Sequence, residues 1–188
     1  MGVRYALGVG ILSFALFGSP ALSKVGQSIQ HFEKSPMVKK GMIAYVEPFE
    51  LKDGSKGKTY RATGNYFHAC QIMVITKGNV IEAEIFAMPL IDSEEVLQAE
   101  KVLLDSFLDQ SGLSAAAQDE ALRQFIEAIS ADQLTRKHGG HYVQTTMIPA
   151  EVPLLVMAIA RESAKLPFKD TKAPKTRGGL SIPDAVPL

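Results

Sequence analysis

The chain has 188 residues, which is the length of about one domain. Its 20 basic and 20 acidic residues give a formal net charge of zero. A sequence-independent nucleic-acid binder needs an excess of cations to displace counterions from phosphate, so this balance argues against that class of function. With 46% hydrophobic and 21% charged residues, the composition is typical of a folded protein with one apolar core.

The N-terminus has the pattern of a secretory signal peptide. Arg4 is followed by an uncharged apolar stretch over residues 5–17, and small residues at 21–23 match a signal-peptidase site. The apolar stretch is shorter than the roughly 20 residues that a membrane-spanning helix needs. We therefore expect residues 1–23 to be removed, leaving a periplasmic or secreted protein without stable membrane insertion that begins at Lys24. An uncleaved membrane anchor is the alternative.

An antiparallel meander is predicted over residues 42–88. Residues 42–51 place apolar side chains on one parity, and Pro48 is typical of an edge strand. Further strands are predicted over residues 59–63, 66–76 and 80–88. In the last of these, Glu82 and Glu84 share one parity, which predicts a solvated face of the sheet.

Two helices are predicted next, over residues 93–111 and 114–137. Their apolar side chains recur at helical spacing. Asp92 is predicted to cap the first helix, and Gly112 is a favourable residue to end it. The apolar stripe of the second helix stops at Ile129, so its last turns are either absent or kinked.

The last part of the domain is predicted to add strands to the same sheet. Residues 142–148 are β-branched, and the apolar run 154–160 is either a buried strand or a buried helix, because its periodicity does not separate the two. A strand would complete a hairpin over 142–161. We therefore expect a single α+β domain over residues 24–164, with five or six antiparallel strands packed on the two helices. Residues 165–188, rich in proline, glycine and lysine, are predicted to form an extended tail.

Cys70 is the only cysteine in the sequence, so no disulfide within the chain is possible. His68 lies two residues before it in a predicted strand, and the two side chains therefore share one face. Thiolate and imidazole are ligands that zinc and copper accept in proteins. The same face carries Ile72, and free cysteines are among the most buried side chains. We expect Cys70 to be a core residue, and the alternative is a metal site that also uses His138 and His141.

The residues His138, Gly139, Gly140 and His141 form the predicted binding site. Two imidazoles flank a pair of glycines at the predicted end of the second helix, where the backbone allows a ligand to approach closely. The alternative is that these histidines only complement the helix dipole. Cys70 and His141 could also form a catalytic thiolate–imidazole pair, although a thiol among apolar neighbours in a strand has a raised pKa.

The sequence lacks the motifs of serine hydrolases, phosphate-binding loops and zinc proteases. An export signal, a sizeable core and no catalytic motif favour an exported binding or accessory protein that acts through contact with a protein partner and needs no cofactor. The alternative is a small enzyme or metal-binding protein that uses Cys70, the histidines, and zinc or copper. The two hypotheses differ in whether Cys70 or His68 lies near His138 or His141.

Overall fold

The computed structural model describes residues 25–64, 69–131 and 133–164. The predicted signal peptide and the predicted tail lie outside these ranges. The strands are β1 (Ile43–Glu50), β2 (Lys56–Ala62), β3 (Gln71–Lys77), β4 (Val80–Pro89), β5 (Gln133–His138), β6 (His141–Ile148) and β7 (Leu154–Arg161). The helices are α1 (Ile29–Glu33), α2 (Pro36–Lys39), α3 (Glu94–Ser111) and α4 (Ala115–Glu127). No helix in the described ranges is long and apolar enough to cross a membrane.

The seven strands form one antiparallel sheet in the order β1-β2-β3-β4-β7-β6-β5. Successive hairpins build β1 to β4 outward from one edge. The helices α3 and α4 then carry the chain to the opposite edge, from which β5, β6 and β7 return to meet β4. The predicted α+β domain with an antiparallel sheet on helices is therefore confirmed, with more strands than the five or six expected.

The second predicted helix is shorter than expected, and the prediction of a helix over residues 114–137 is wrong beyond Glu127. The chain forms β5 instead, and Leu134 pairs with Thr145 of β6. The apolar stripe of α4 has ended before this segment, so a helix there would have no face to bury, whereas a strand obtains hydrogen bonds from β6. This segment supplies the additional strand at the sheet edge.

Gly139 and Gly140 likewise do not end a helix. They form the two-residue turn between β5 and β6, with φ angles of 55° and 82°. Positive φ at both central positions is the geometry of the type I′ turn that favours tight hairpins, and glycine adopts it without steric cost. The predicted hinge between a helix and a strand is therefore a β-hairpin turn.

The helix α3 and the strand β7 agree more closely with the predictions from the sequence. The helix α3 ends at Gly112, whose φ of 88° is the left-handed conformation expected of a C-terminal glycine. Its N-terminal cap is Ser93 rather than Asp92, so the predicted capping residue is wrong by one position. The apolar run at 154–160, for which strand and helix were both possible, forms β7.

The helices pack on one face of the sheet, here called the helix face. On it, the ring centroid of Phe86 in β4 lies 5.5 Å from that of Phe107 in α3 and 6.3 Å from that of Phe125 in α4. The opposite face, here called the far face, carries a second apolar cluster of buried residues: Met73, Ile75, Ala83, Ile85, Val156, Ala158 and Ala160. Both faces of the central strands are therefore apolar.

A register shift between β3 and β4 changes which side chains of β4 point to each face. Ile81 belongs to the helix-face cluster, whereas Ala83 belongs to the far face. Glu84 is buried, and its cross-strand partners belong to the helix-face cluster. An irregularity of this kind breaks the alternation that a regular strand would have. The predicted solvated face shared by Glu82 and Glu84 is therefore wrong.

Candidate functional site

The predicted binding residue His138 lies buried between the β5–β6 hairpin and α4, with 7% of its surface exposed. Its Nδ1 atom lies 2.9 Å from Oε2 of Glu120, and its Nε2 atom lies 3.0 Å from Oε1 of Gln124. Glu120 and Gln124 are four residues apart on α4, so both side chains lie on the same side of the helix. The imidazole is held at both ring nitrogens by one helix.

The amide of Gln124 fixes the inner end of this network. Its Nε2 atom donates to the carbonyl oxygens of Leu134 in β5, at 3.2 Å, and Val143 in β6, at 2.9 Å. It also lies 3.3 Å from Oγ1 of Thr145, whose hydroxyl donates to the backbone carbonyl of Gln124. Because Nε2 of the amide is directed at these acceptors, Oε1 faces His138 and accepts a hydrogen bond from its Nε2 atom.

The network runs from solvent to core. The Glu120 side chain is 58% exposed, whereas Gln124 is fully buried. Since both nitrogens of His138 are engaged, the imidazole could bind a metal or another ligand only by giving up a hydrogen bond. The network connects α4 to the hairpin through hydrogen bonds, and a binding role for His138 stays a prediction.

His141 is placed differently, although it is the cross-strand partner of His138 next to the turn. Its Nδ1 atom lies 3.2 Å from the carbonyl oxygen of Gly139. It lines a shallow cleft of about 480 Å³ whose other lining residues are Val25, Gly140, Arg161, Glu162 and Ser163. The four predicted binding residues are therefore divided: His138 is enclosed by α4, Gly139 lies in the turn, and Gly140 and His141 border the cleft.

Cys70 is a core residue, as the sequence predicted, and it is fully buried. Its Sγ atom lies 3.6 Å from Oε1 of Glu100, which α3 brings over the sheet. Burial, followed by the nearby Glu100 carboxyl, raises the pKa of the Cys70 thiol far above its ordinary value. The sulfur is therefore a neutral thiol, which is the unreactive form.

Glu100 is the less expected member of this pair. It is fully buried, and its Oε2 atom has no hydrogen-bond partner in the described part of the chain. Burial raises the pKa of the carboxyl to about 7, although the hydrogen bond from Cys70 lowers it in part. A buried carboxyl without a cationic partner favours its neutral form.

Cys70 lies at the opposite end of the sheet from His138 and His141. Cys70 immediately precedes β3, beside the Ala87 end of β4, whereas His141 pairs with the end of β7, beside the Ala83 end of β4. At about 3.4 Å per residue, this separates them by at least ~13 Å along the strand direction alone. The structure therefore does not bring Cys70 and His141 together as a thiolate–imidazole pair.

Within residues 25–64, 69–131 and 133–164, no group of three or more histidine, cysteine, aspartate or glutamate side chains is placed to hold a metal ion. His68, one of the four candidate ligands, lies outside these ranges. A zinc or copper site that uses His68 stays a prediction.

Two residues of these networks were not singled out from the sequence, although the sequence contains a signal for both. Glu100 shares the helical stripe of Leu103 and Phe107, and Gln124 shares that of Ala117 and Ala121. A polar residue on the apolar stripe of a helix has to find a partner once it is buried. Their position on the apolar stripe of a helix, rather than any sequence motif, identifies Glu100 and Gln124 as buried polar residues.

Comparison with known proteins adds no family to this description: no protein-family model, no curated protein and no solved structure matches the chain.

We expect the substitution Gln124→Leu to lower the free energy of unfolding by about 2–3 kcal/mol, because it removes the buried hydrogen bonds that the amide makes to Nε2 of His138 and to the carbonyl oxygens of Leu134 and Val143. Gln118→Leu is the matched control, since Gln118 is half-buried and its Nε2 atom donates one hydrogen bond, to Leu113. The control should change the free energy of unfolding by less than about 1 kcal/mol. Urea denaturation measures both, and equal losses would contradict the role given to Gln124.

The buried Glu100 carboxyl should make stability depend on pH. Its pKa is raised in the folded state from 4.5 to about 7, so the folded protein binds more protons than the unfolded chain between these values. The contribution of Glu100 to stability should therefore be highest below pH 4.5 and decline until pH 7, by an amount on the order of 2–3 kcal/mol.

The variant Glu100→Gln removes this titration while keeping the size of the side chain. At pH 8 it should be more stable than the wild type, and at pH 4 the two should be similar. The control Glu95→Gln, at an exposed position of the same helix, should retain the wild-type dependence in denaturation experiments across this range. A Glu100→Gln variant that is no more stable than the wild type at pH 8 would contradict the prediction.

Proposed function

We propose that this chain is an exported accessory protein that acts by binding a protein partner, and that the partner contacts β1. The observation that carries the proposal is the exposure of Tyr45 and Val46, at 53% and 42%, in a strand at the edge of the sheet. Large apolar side chains at such a position are costly to leave in water, and aromatic residues are enriched where proteins bind one another.

The structure of β1 at the sheet edge favours contact through its side chains over backbone pairing with a strand of another protein. No described strand pairs with the outer side of β1. The pairing with β2 is shifted between Tyr45 and Glu47, and Pro48 follows within the strand. Irregular register and proline are the features with which edge strands avoid pairing with other chains. The side chains of β1, more than its backbone, are therefore the proposed contact surface.

Tyr45 is held in place before a partner arrives. Its ring lies edge-on to the buried ring of Tyr60, with centroids 5.9 Å apart, and Nζ of Lys58 lies 5.9 Å from its centroid. A side chain that is already ordered loses less conformational entropy on binding. Tyrosine in this state is typical of the few residues that dominate the energy of an interface.

The charges of β1 indicate the chemistry of the partner. Both of its charged residues, Glu47 and Glu50, are acidic and exposed. A complementary surface would place lysine or arginine side chains around an apolar contact for Tyr45 and Val46. The proposed partner is therefore a protein with a basic, partly apolar surface.

The polar groups in the core support a binding role over a catalytic one. His138 is engaged by Glu120 and Gln124, and the Cys70 thiol is enclosed against Glu100. These groups hold the fold together, and a reagent would have to unfold part of the core to reach the sulfur.

Site-specific photo-crosslinking in cells that produce the protein tests the proposed contact. With p-benzoylphenylalanine in place of Tyr45, we expect a covalent adduct to one protein. The double substitution Glu47→Lys and Glu50→Lys should reduce the adduct roughly tenfold, as expected for the loss of about 1.4 kcal/mol of complementarity.

The control places the photo-crosslinker at Val102, which is 54% exposed on α3. It should give no such adduct, and circular dichroism should show that every variant is folded. An equal adduct from position 102, or an adduct that the charge reversal leaves unchanged, would overturn the proposed contact.

Export is tested by the mass of the mature protein, which should begin at Lys24. Replacing the small residues Ala21 and Ser23 with arginine should block cleavage, because signal peptidase requires small side chains there. The uncleaved variant should remain with the membrane fraction. A wild-type protein that keeps a peptide containing Arg4 would show that residues 1–23 are an anchor.

A further inference from the structure

The strand β5 forms the edge of the described sheet opposite β1. No described strand pairs with its outer side, and Thr135, Arg136 and Lys137 are exposed there. Unlike β1, this strand pairs with its neighbour in an unbroken register and contains no proline. The outer side of β5 therefore lacks the two features with which β1 avoids backbone pairing.

The turn between β5 and β6 determines which backbone groups of β5 point outward. In a hairpin with a two-residue turn, the residues beside the turn exchange two hydrogen bonds, and such pairs then alternate with pairs that exchange none. His138 and His141 are the pair beside this turn. The residues that direct their N–H and C=O groups away from β6 are therefore Gln133, Thr135 and Lys137.

The two cations of β5 are already paired within the chain. Exposed charged side chains deter pairing at many sheet edges. Here Nη2 of Arg136 lies 2.7 Å from Oε2 of Glu127. Similarly, Nζ of Lys137 lies 2.5 Å from Oε1 of Glu162. Because these acidic groups offset the positive charge of the edge, a second copy of the same strand fits it better than an acidic segment of another protein does.

We propose that two copies of the chain pair through β5, antiparallel about a two-fold axis at Thr135, so that their sheets become continuous. Thr135 then faces its own copy, and Lys137 faces Gln133 of the second copy. The outward groups of both strands meet in this arrangement and form about six backbone hydrogen bonds. The contact lies at the edge opposite β1, so the inference goes beyond the partner contact proposed there and does not depend on it.

The side chains of β5 favour this register over the neighbouring ones. It places Arg136 opposite the half-buried Leu134 of the second copy, where the aliphatic part of the arginine can pack on the leucine. Two threonines that face each other are also a favourable cross-strand pair. A shift by two residues toward the turn would place Arg136 directly opposite its own copy, and like charges in that position are destabilising. The opposite shift would pair fewer residues of β5.

Sedimentation equilibrium of the purified full chain tests the pairing with the variant Lys137→Pro. Proline removes the outward N–H group of residue 137 and no hydrogen bond to β6. It should raise the dissociation constant of the dimer by roughly tenfold or more. Lys137→Ala is the matched control, because it also removes the ion pair with Glu162 but keeps the N–H group. It should change the dissociation constant by less than about twofold.

Cross-linking locates the contact by a separate measurement, and it decides the case if Lys137→Pro does not fold. A short bis-maleimide linker should join two copies of Thr135→Cys, because residue 135 lies on the proposed axis. It should not join two copies of Val46→Cys, whose new thiol is at an exposed position of β1, and the natural Cys70 is buried.

Three results would overturn the inference. The first is a chain that stays monomeric at high micromolar concentration. The second is a dimer whose dissociation constant is the same for folded Lys137→Pro and for Lys137→Ala. The third is cross-linking from position 46 that equals or exceeds cross-linking from position 135, because the copies would then meet elsewhere.

Discussion

The amide of Gln124 is the contact on which the second half of the sheet depends. It is the point where α4, β5 and β6 meet, since its hydrogen bonds reach Leu134, Val143 and His138. A buried amide is costly unless each of its groups is satisfied, and here both are. Because its partners belong to two strands while Gln124 itself lies on α4, the hydrogen bonds of this amide specify how α4 lies on the hairpin.

The parts of the fold that were predictable are those encoded by local pattern. Alternating apolar residues identified β1 and β4, and the helical stripe with Gly112 identified α3. β5 was not predictable in this way, because Leu134 is its only large apolar residue and its neighbours are polar. The strand β5 forms because β6 supplies its backbone hydrogen bonds. In addition, Gly139 and Gly140 are equally compatible with the end of a helix and with a hairpin turn.

The candidate site, too, was predictable only where residues adjacent in sequence determine the structure. The burial of Cys70 followed from its apolar neighbours, which are adjacent in sequence. The inward direction of His138 did not, because it requires β5 to be a strand and α4 to lie over it. The burial of Glu84 was not predictable either, because a single irregularity in the pairing of β3 with β4 turns its carboxylate toward the core. Such a shift depends on two strands together and leaves no trace in the alternation of either one.

The position of β7 has a consequence for the order in which the sheet can be assembled. It is the last of the described strands along the chain, yet it lies inside the sheet, where residues 83–89 pair with residues 154–160. Until synthesis has passed Arg161, the outer side of β4 is an open edge between two apolar faces, and such edges recruit strands from other chains. Pairings between residues so distant in sequence also form slowly. The nascent chain therefore passes through a long interval in which aggregation competes with folding, and a factor that delays collapse until the whole chain is available would favour the native sheet.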